Sequence, residues 1–233
     1  MRFPEQALVI NREIGDRRGE GQTLGNLGNA WDDLGKPYRA IDYYEQALVI
    51  AREIGDRRGE GNALGNLGNA WADLGEPRRA VDYFEQDLAI SREIGDRRGE
   101  GQDLGNLGNA WAALDKPHRA IEYHEQALVI DREIGDRRGE GQDLGNLGNA
   151  WAALGDLRQA IDYYEQARAL AQAIGDRQGE ANRCWNLGLL LEQQGKLTRA
   201  VELMQVRVDF MRAISHPDVE EVAAYVEKIR QRL

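Results

Sequence analysis

Nine asparagines are the residues of this chain whose type and spacing suit a binding chemistry. Asn26, Asn66, Asn106, Asn146 and Asn186 stand 40 residues apart, and Asn29, Asn69, Asn109 and Asn149 form a second row three residues on. A carboxamide offers a donor and an acceptor together, which matches the N–H and C=O of a peptide backbone whatever its side chains. Such a row could hold an extended segment of another protein; the same groups could instead join neighbouring helices through hydrogen bonds. Each bond to a peptide nets roughly 0.5–1.5 kcal/mol, while association costs on the order of 4–15 kcal/mol. The asparagines alone would bind weakly, and useful affinity needs side-chain pockets beside them or several linked sites.

Other chemistry is poorly served. His118, His124 and His216 share no metal-ligand spacing, and Cys184 has no cysteine partner. The stretch GEGQTLGNLG, from Gly19 to Gly28, lacks the GxGxxG spacing and the preceding strand of a phosphate cradle. Acids and amides recur with the repeat instead of converging on one place, so a noncatalytic protein without cofactor or metal is expected.

The elements that must position these residues are written in the repeat itself. GQTLGNLGNAW (Gly21 to Trp31) returns from Gly61, Gly101 and Gly141, with an eroded copy from Ala181 to Leu191. Residues 21–60 and 61–100 agree at 30 of 40 positions. A 40-residue unit is too short to fold alone, so stacked units are expected, each completing its neighbour's core. Leu24, Leu27, Trp31 and Leu34 fall on one helical stripe, helix A. Ala40, Ile41, Tyr44, Ala47, Leu48 and Ala51 form another, helix B, with Ile54 extending it and Gly55 ending it. Gly35 stops helix A, Pro37 starts helix B and Asp56 is placed to cap the next helix. The interchange of Tyr38, Arg78, His118 and Arg158 marks a solvent-facing position. Asp115 takes the place of the turn glycine found at Gly35, Gly75 and Gly155, a modest penalty.

The predicted organisation is 1–20, the second half of a truncated repeat; units at 21–60, 61–100, 101–140 and 141–180; a degenerate unit at 181–215; and a capping helix at 216–233. Ser215, Pro217 and Asp218 read as a capping box for that last helix, with Val219, Val222, Ala223, Val226 and Ile229 on its apolar face. At the other end, the sequence from Phe3 matches the middle of a repeat, leaving an apolar stripe with Ala7, Leu8 and Ile14 unpaired. That stripe implies either a fragment of a longer array or an end built for self-association.

The balance is acidic, 30 Lys and Arg against 40 Asp and Glu for a formal charge of -10. This disfavours nucleic acid and anionic membrane surfaces as partners. No apolar run reaches about 18 residues, and one cysteine suits a reducing compartment, so a soluble cytoplasmic protein is expected.

These residues carry a resemblance to the tetratricopeptide repeat family, in a 40-residue variety. The pattern of Leu, Leu-Gly and an aromatic in helix A, then Ala, aromatic, Ala in helix B, is met by Leu24, Leu27, Gly28, Trp31, Ala40, Tyr44 and Ala47, and recurs in the next three units except that Asp87 replaces the second alanine. The IGDRRGEG linkers and LGNLGNAW helices are similar to those of kinesin light chain-like adaptors and of bacterial arrays attached to signalling ATPases or caspase-like proteases. The resemblance implies an all-α, right-handed solenoid of stacked antiparallel helix pairs, with helix A lining a concave groove and the Asn26-to-Asn186 row holding a peptide backbone. The partner it implies is a protein or peptide segment. Asp32, Asp33, Asp73, Asp103 and Asp143 would favour a basic or neutral one.

Overall fold

A computed structural model describes residues 2–233, with side chains from Glu5 onward; the side chain of Phe3 lies outside the described residues. All regular structure among them is helical. By internal packing the chain divides into two units, Met1–Gln126 and Ala127–Leu233. The first holds α1 (Arg2–Glu13), α2 (Arg17–Asp33), α3 (Pro37–Ile54), α4 (Arg57–Asp73), α5 (Pro77–Ile94), α6 (Arg97–Ala113) and the start of α7 (Pro117–Ile134). The second holds the rest of α7, then α8 (Arg137–Ala153), α9 (Leu157–Ile174), α10 (Arg177–Gln193), α11 (Leu197–Ala213) and α12 (Val219–Arg230).

Within each unit consecutive helices pack against each other, α1 through α6 in the first and α8 through α12 in the second. The short joints, two or three residues long up to α11, force neighbours antiparallel. Leu34, Gly35 and Lys36 link α2 to α3, Gly35 taking φ +68°, and Pro37 opens α3 where a missing N–H does no harm. Asp115 holds the same left-handed turn at φ +55°, which an aspartate tolerates. Gly55 closes α3 at φ +70°, and Asp56 caps α4 by accepting the Gly59 N–H at 3.0 Å.

Helix A therefore starts one turn before the repeat boundary read from GQTLGNLGNAW: the DRRG stretch is its first turn. That turn explains the recurrent REIGDRRGE string. Glu60 of α4 is buried and accepts from Arg52 of α3 at 2.8 Å and Arg57 at 2.5 Å. Burial opposes its ionisation, yet the two guanidiniums hold it below the usual carboxylate range. The clamp repeats at Glu20, Glu100 and Glu140, each between two arginines. At Glu180 a glutamine, Gln172, replaces one of them.

The core of the first unit is built from Leu24, Leu27, Ala40, Tyr44 and Leu48 with their successors Leu64, Leu67 and Ala70. Gly28 makes the close approach possible, because a Cβ there would overlap the Tyr44 ring. Leu34 is not part of the core stripe; it lies at the end of α2 with 52 % of its surface exposed. Its equivalents Leu74, Leu114 and Leu154, at the same helix end, are half-buried, and Leu74 packs against this core, so the exposure is particular to the first repeat.

In the second unit, Ala160, Tyr164, Cys184, Leu187 and Ala200 form one cluster, and α12 closes the end by burying Val226 and Ile229 against Val201, Met204 and Val208. The capping box does not form. Ser215 takes the left-handed turn, φ +52°, that glycine takes elsewhere, and Asp218 precedes α12 without a side-chain cap bond.

The uncovered stripe on α1 differs from the expected one. Leu8 is buried against the following helices, whereas Ile10 is 53 % exposed and Ile14 70 %. The repeat shows why: Ile50, equivalent to Ile10, is buried against Gly21 of the preceding helix A.

Candidate functional site

In the first unit α2, α3 and α4 enclose a pocket of about 440 Å³, lined among others by Gly25, Asn26, Asn29, Ala47, Ile50 and Asn66. It is open because two residues are small: no atom lies within 4 Å of where a Gly25 Cβ would be, and Ala47 ends short. The volume falls in the range of about 300–1,000 Å³ typical of ligand sites. One repeat later the equivalent space is filled. Asp87 stands in the place of Ala47, and its carboxylate oxygens lie 2.7 and 2.6 Å from the Cβ positions of Gly61 and Gly65.

The structure brings the asparagines together in groups. Asn66 donates to Asn29 at 3.4 Å, and Asn29 also accepts from the Tyr44 hydroxyl at 2.8 Å. In the second unit Asn186 donates to Asn149 at 3.3 Å, which accepts from Tyr164 at 2.6 Å. Part of each row therefore does join neighbouring helices, but one Asn66 oxygen and the Asn29 and Asn149 amide groups are left over. Asn69, Asn106 and Asn109 line a second pocket, about 410 Å³. Asn69 has no tyrosine to hold it because Phe84 lacks the hydroxyl, and neither it nor Asn26 or Asn106 makes a side-chain hydrogen bond among the described residues. Asn146 is half-buried on α8.

The charges sort differently from the sequence expectation. Asp32, Asp33 and Asp73 do gather near Tyr44: burial first, then Asp73 and Asp33, raises the Asp32 pKa. Burial, reinforced by Asp32 and Asp33, pushes the Tyr44 phenol up to about 12. Asp103 and Asp143, however, are only 4 % and 5 % exposed and face the preceding helix B instead of open solvent. Asp103 accepts from Ser91 at 2.8 Å and shares a hydrogen bond with Asp87; Asp143 shares one with Asp131. Identical helix A periodicity could not reveal them, since their partners lie on another helix.

Models of the tetratricopeptide repeat match residues 22–93, 104–173 and 144–213, well over half of the chain. This is a tetratricopeptide repeat protein. Solved tetratricopeptide structures share its fold. The signal transduction ATPase with numerous domains from Pyrococcus horikoshii, which carries a tetratricopeptide repeat sensor, superposes with a TM-score of 0.80 at 17 % identity. The match takes in 90 % of this chain and 33 % of that one, so this chain spans a third of the ATPase's length. A putative kinesin light chain with nearly identical repeats, from Podosopora anserina, gives 0.70 at 19 % identity over 83 % of this chain and 96 % of that one. A Rap protein complexed with Competence and Sporulation Factor gives 0.65 at 16 % identity, covering 91 % and 64 %. No curated protein sequence matches significantly. No helix among the described residues is long and apolar enough to cross a membrane.

Proposed function

We propose that this tetratricopeptide repeat protein is a noncatalytic scaffold that binds an extended peptide segment along the helix A face. The observation that carries this reading is the set of unspent carboxamides beside open pockets: Asn26, Asn29 and Asn66 around the space left by Gly25 and Ala47, and Asn69 with Asn106 in the next repeat. Amides supply sequence-independent backbone capture and the pockets supply side-chain contact, the two components that weak hydrogen bonds need to become useful affinity. The Asp32, Asp33 and Asp73 cluster gives the first unit a preference for basic or neutral segments. The solved complex of a Rap protein with Competence and Sporulation Factor is a precedent in fold for such a role. A single buried thiol, Cys184, suits a reducing compartment, and we place the protein in the cytoplasm.

Selection from a display library of twelve-residue peptides, followed by fluorescence anisotropy, tests the reading. Replacing Asn66, Asn106 and Asn146 together by alanine should weaken a selected peptide at least tenfold with the helical circular dichroism unchanged. Undiminished affinity would refute the role of the asparagines.

A second reading is favoured by the uncovered Ile10 of α1 and Ile14 just after it: association with a second copy, or with a larger signalling protein, through that face. Light scattering over a dilution series should then show species that Ile10→Asp abolishes; a monomer at high concentration removes the self-association branch.

A further inference from the structure

The space that Gly25 and Ala47 leave open in one repeat is closed in the next by a group that can lose a proton. Gly61 and Gly65 of α4 repeat Gly21 and Gly25, and Ile90 repeats Ile50, but Asp87 of α5 stands where Ala47 lines the open pocket. Its two carboxyl oxygens occupy the ground that a Cβ on Gly61 or Gly65 would need. Asp87 therefore acts as a plug, itself buried.

A second carboxyl holds the plug in place. Asp87 shares a hydrogen bond with Asp103 of α6, which is also buried, and two ionised carboxylates have only acceptors to offer each other. The bond exists only while one of them keeps a proton. The helices packed around the pair bring nothing to replace it. From α4 come Gly61 and Gly65, without charge. From α5 comes Ser91, whose hydroxyl donates to Asp103 at 2.8 Å. The charged groups that act on the pair are acids: Asp96 on both carboxyls, and Glu100 of α6 on Asp103. Asp96 caps α6 through the Gly99 N–H at 3.0 Å, and Arg92 and Arg97 are bound to Glu100. Once the proton passes to solvent, two adjacent anions remain in a buried place, which neither desolvation nor their mutual repulsion tolerates. The pocket of the preceding repeat opens to the groove, so the Asp87 carboxylate reaches water by rotating between its own side-chain rotamers while α5 stays intact.

We propose that Asp87 is a proton-held gate on a second groove pocket: with the proton, the Asp87–Asp103 pair keeps the space beside Gly61 and Gly65 filled, and without it Asp87 swings out and opens the counterpart of the Gly25 pocket. The equivalent positions in the repeats before and after lack the gate, because Ala47 and Ala127 take the place of Asp87. Asp131 and Asp143 share a hydrogen bond as well, so their titration is the background against which Asp87 is read. The gate deepens the groove reading and rests on it for its purpose, as a pH control over how many pockets the helix A face offers. The opening itself is measured without peptide, so its failure and the failure of peptide capture are told apart.

The full chain, labelled with carbon-13 at its aspartate carboxyls and at glycine, is followed by NMR from pH 5 to pH 9, with the neutral nitroxide TEMPOL as a small probe of open space. Gly25 is the reference for an open pocket in the same molecule. At pH 5 the relaxation that TEMPOL causes at the Gly65 Hα should be at least threefold below that at Gly25. By pH 9 the two should converge with Gly25 unchanged, and the midpoint of the rise should coincide with the titration of the Asp87 carboxyl. Asp87→Asn, an isostere of the protonated acid, should keep Gly65 protected at every pH. Asp87→Ala, a residue that Ala47 shows to be foldable in this place, should leave Gly65 open at every pH. Protection of Gly65 that is the same at pH 5 and pH 9, opening of Asp87→Asn at the wild-type midpoint, or a Gly65 still protected in Asp87→Ala overturns the gate. Loss of helical circular dichroism over the same pH range would make the exposure unfolding and overturns it too. Each of these failures leaves peptide capture standing, which the display selection decides.

Discussion

Replacing Asp87 by alanine, the residue that the equivalent positions Ala47, Ala127 and Ala167 carry, should stabilise the protein, and the gain should grow with pH. Asp87 is 9 % exposed, pressed against Gly61 and Gly65 of α4, which bring no charge to it, and hydrogen-bonded to Asp103 of α6. Burial, with the charges of Asp103 and Asp96 behind it, pushes Asp87 up to about 8. Burial also raises Asp103 to about 6 against the opposing hydrogen bonds from Ser91 and Asp87. A folded carboxyl titrating above its unfolded value of about 3.9 keeps its proton longer in the native state. Its favourable contribution is complete below pH 4 and is lost as pH rises to about 8. Each pH unit between the two titrations is worth about 1.4 kcal/mol, so at pH 7 the ceiling is about 4 kcal/mol. Relaxation and water penetration bring the expected effect to on the order of 1–3 kcal/mol. Urea unfolding followed by circular dichroism at pH 4.5, 6 and 8, at constant ionic strength, reads this directly. The wild-type midpoint should fall across that range, and Asp87→Ala should be close to wild type at pH 4.5 and higher at pH 8. A residual slope is expected from Asp131, which burial and Asp143 push up to about 7. A variant less stable than wild type at pH 8, or an unchanged pH slope, would refute the reasoning.

Other substitutions test the remaining contacts. Gly28→Ala forces a methyl into the Tyr44 ring; overpacking of about 1–3 kcal/mol outweighs the helix propensity gained, about 1 kcal/mol, and the urea midpoint should fall. Glu60→Gln leaves Arg52 and Arg57 sharing a weaker acceptor, a loss of about 1–3 kcal/mol, with faster amide exchange at the α3–α4 joint as the local signature. Tyr164→Phe removes the hydroxyl that occupies Asn149; peptide affinity in the second unit should hold or rise while stability drops by about 1 kcal/mol, and a tenfold loss of affinity would show that the tyrosine itself contacts the ligand.

Much of the fold was legible because it is local and repeated. The stripe of Leu24, Leu27 and Trp31, the turn glycines Gly35 and Gly55, Pro37 and the Asp56 cap are each decided within a turn or two of the residue concerned, and four near-identical copies amplify the signal. The asparagine rows were legible for the same reason. What they do was not, because Asn29 meets Tyr44 and Asn66 only once three helices are assembled.

The tertiary structure alone decided the rest. It moved Leu34 out of the core, replaced the exposed Leu8 by Ile10, and withdrew Asp103 and Asp143 into carboxyl pairs. It showed that one alanine-to-aspartate change between repeats closes a pocket, and that the Arg183 guanidinium lies over Gly145. Periodicity reports which face of a helix is apolar; it is silent on which residue of the next helix that face meets. For this chain the sequence by itself determined the helices and their order, and packing across helices determined which polar groups are spent joining neighbouring helices and which are not.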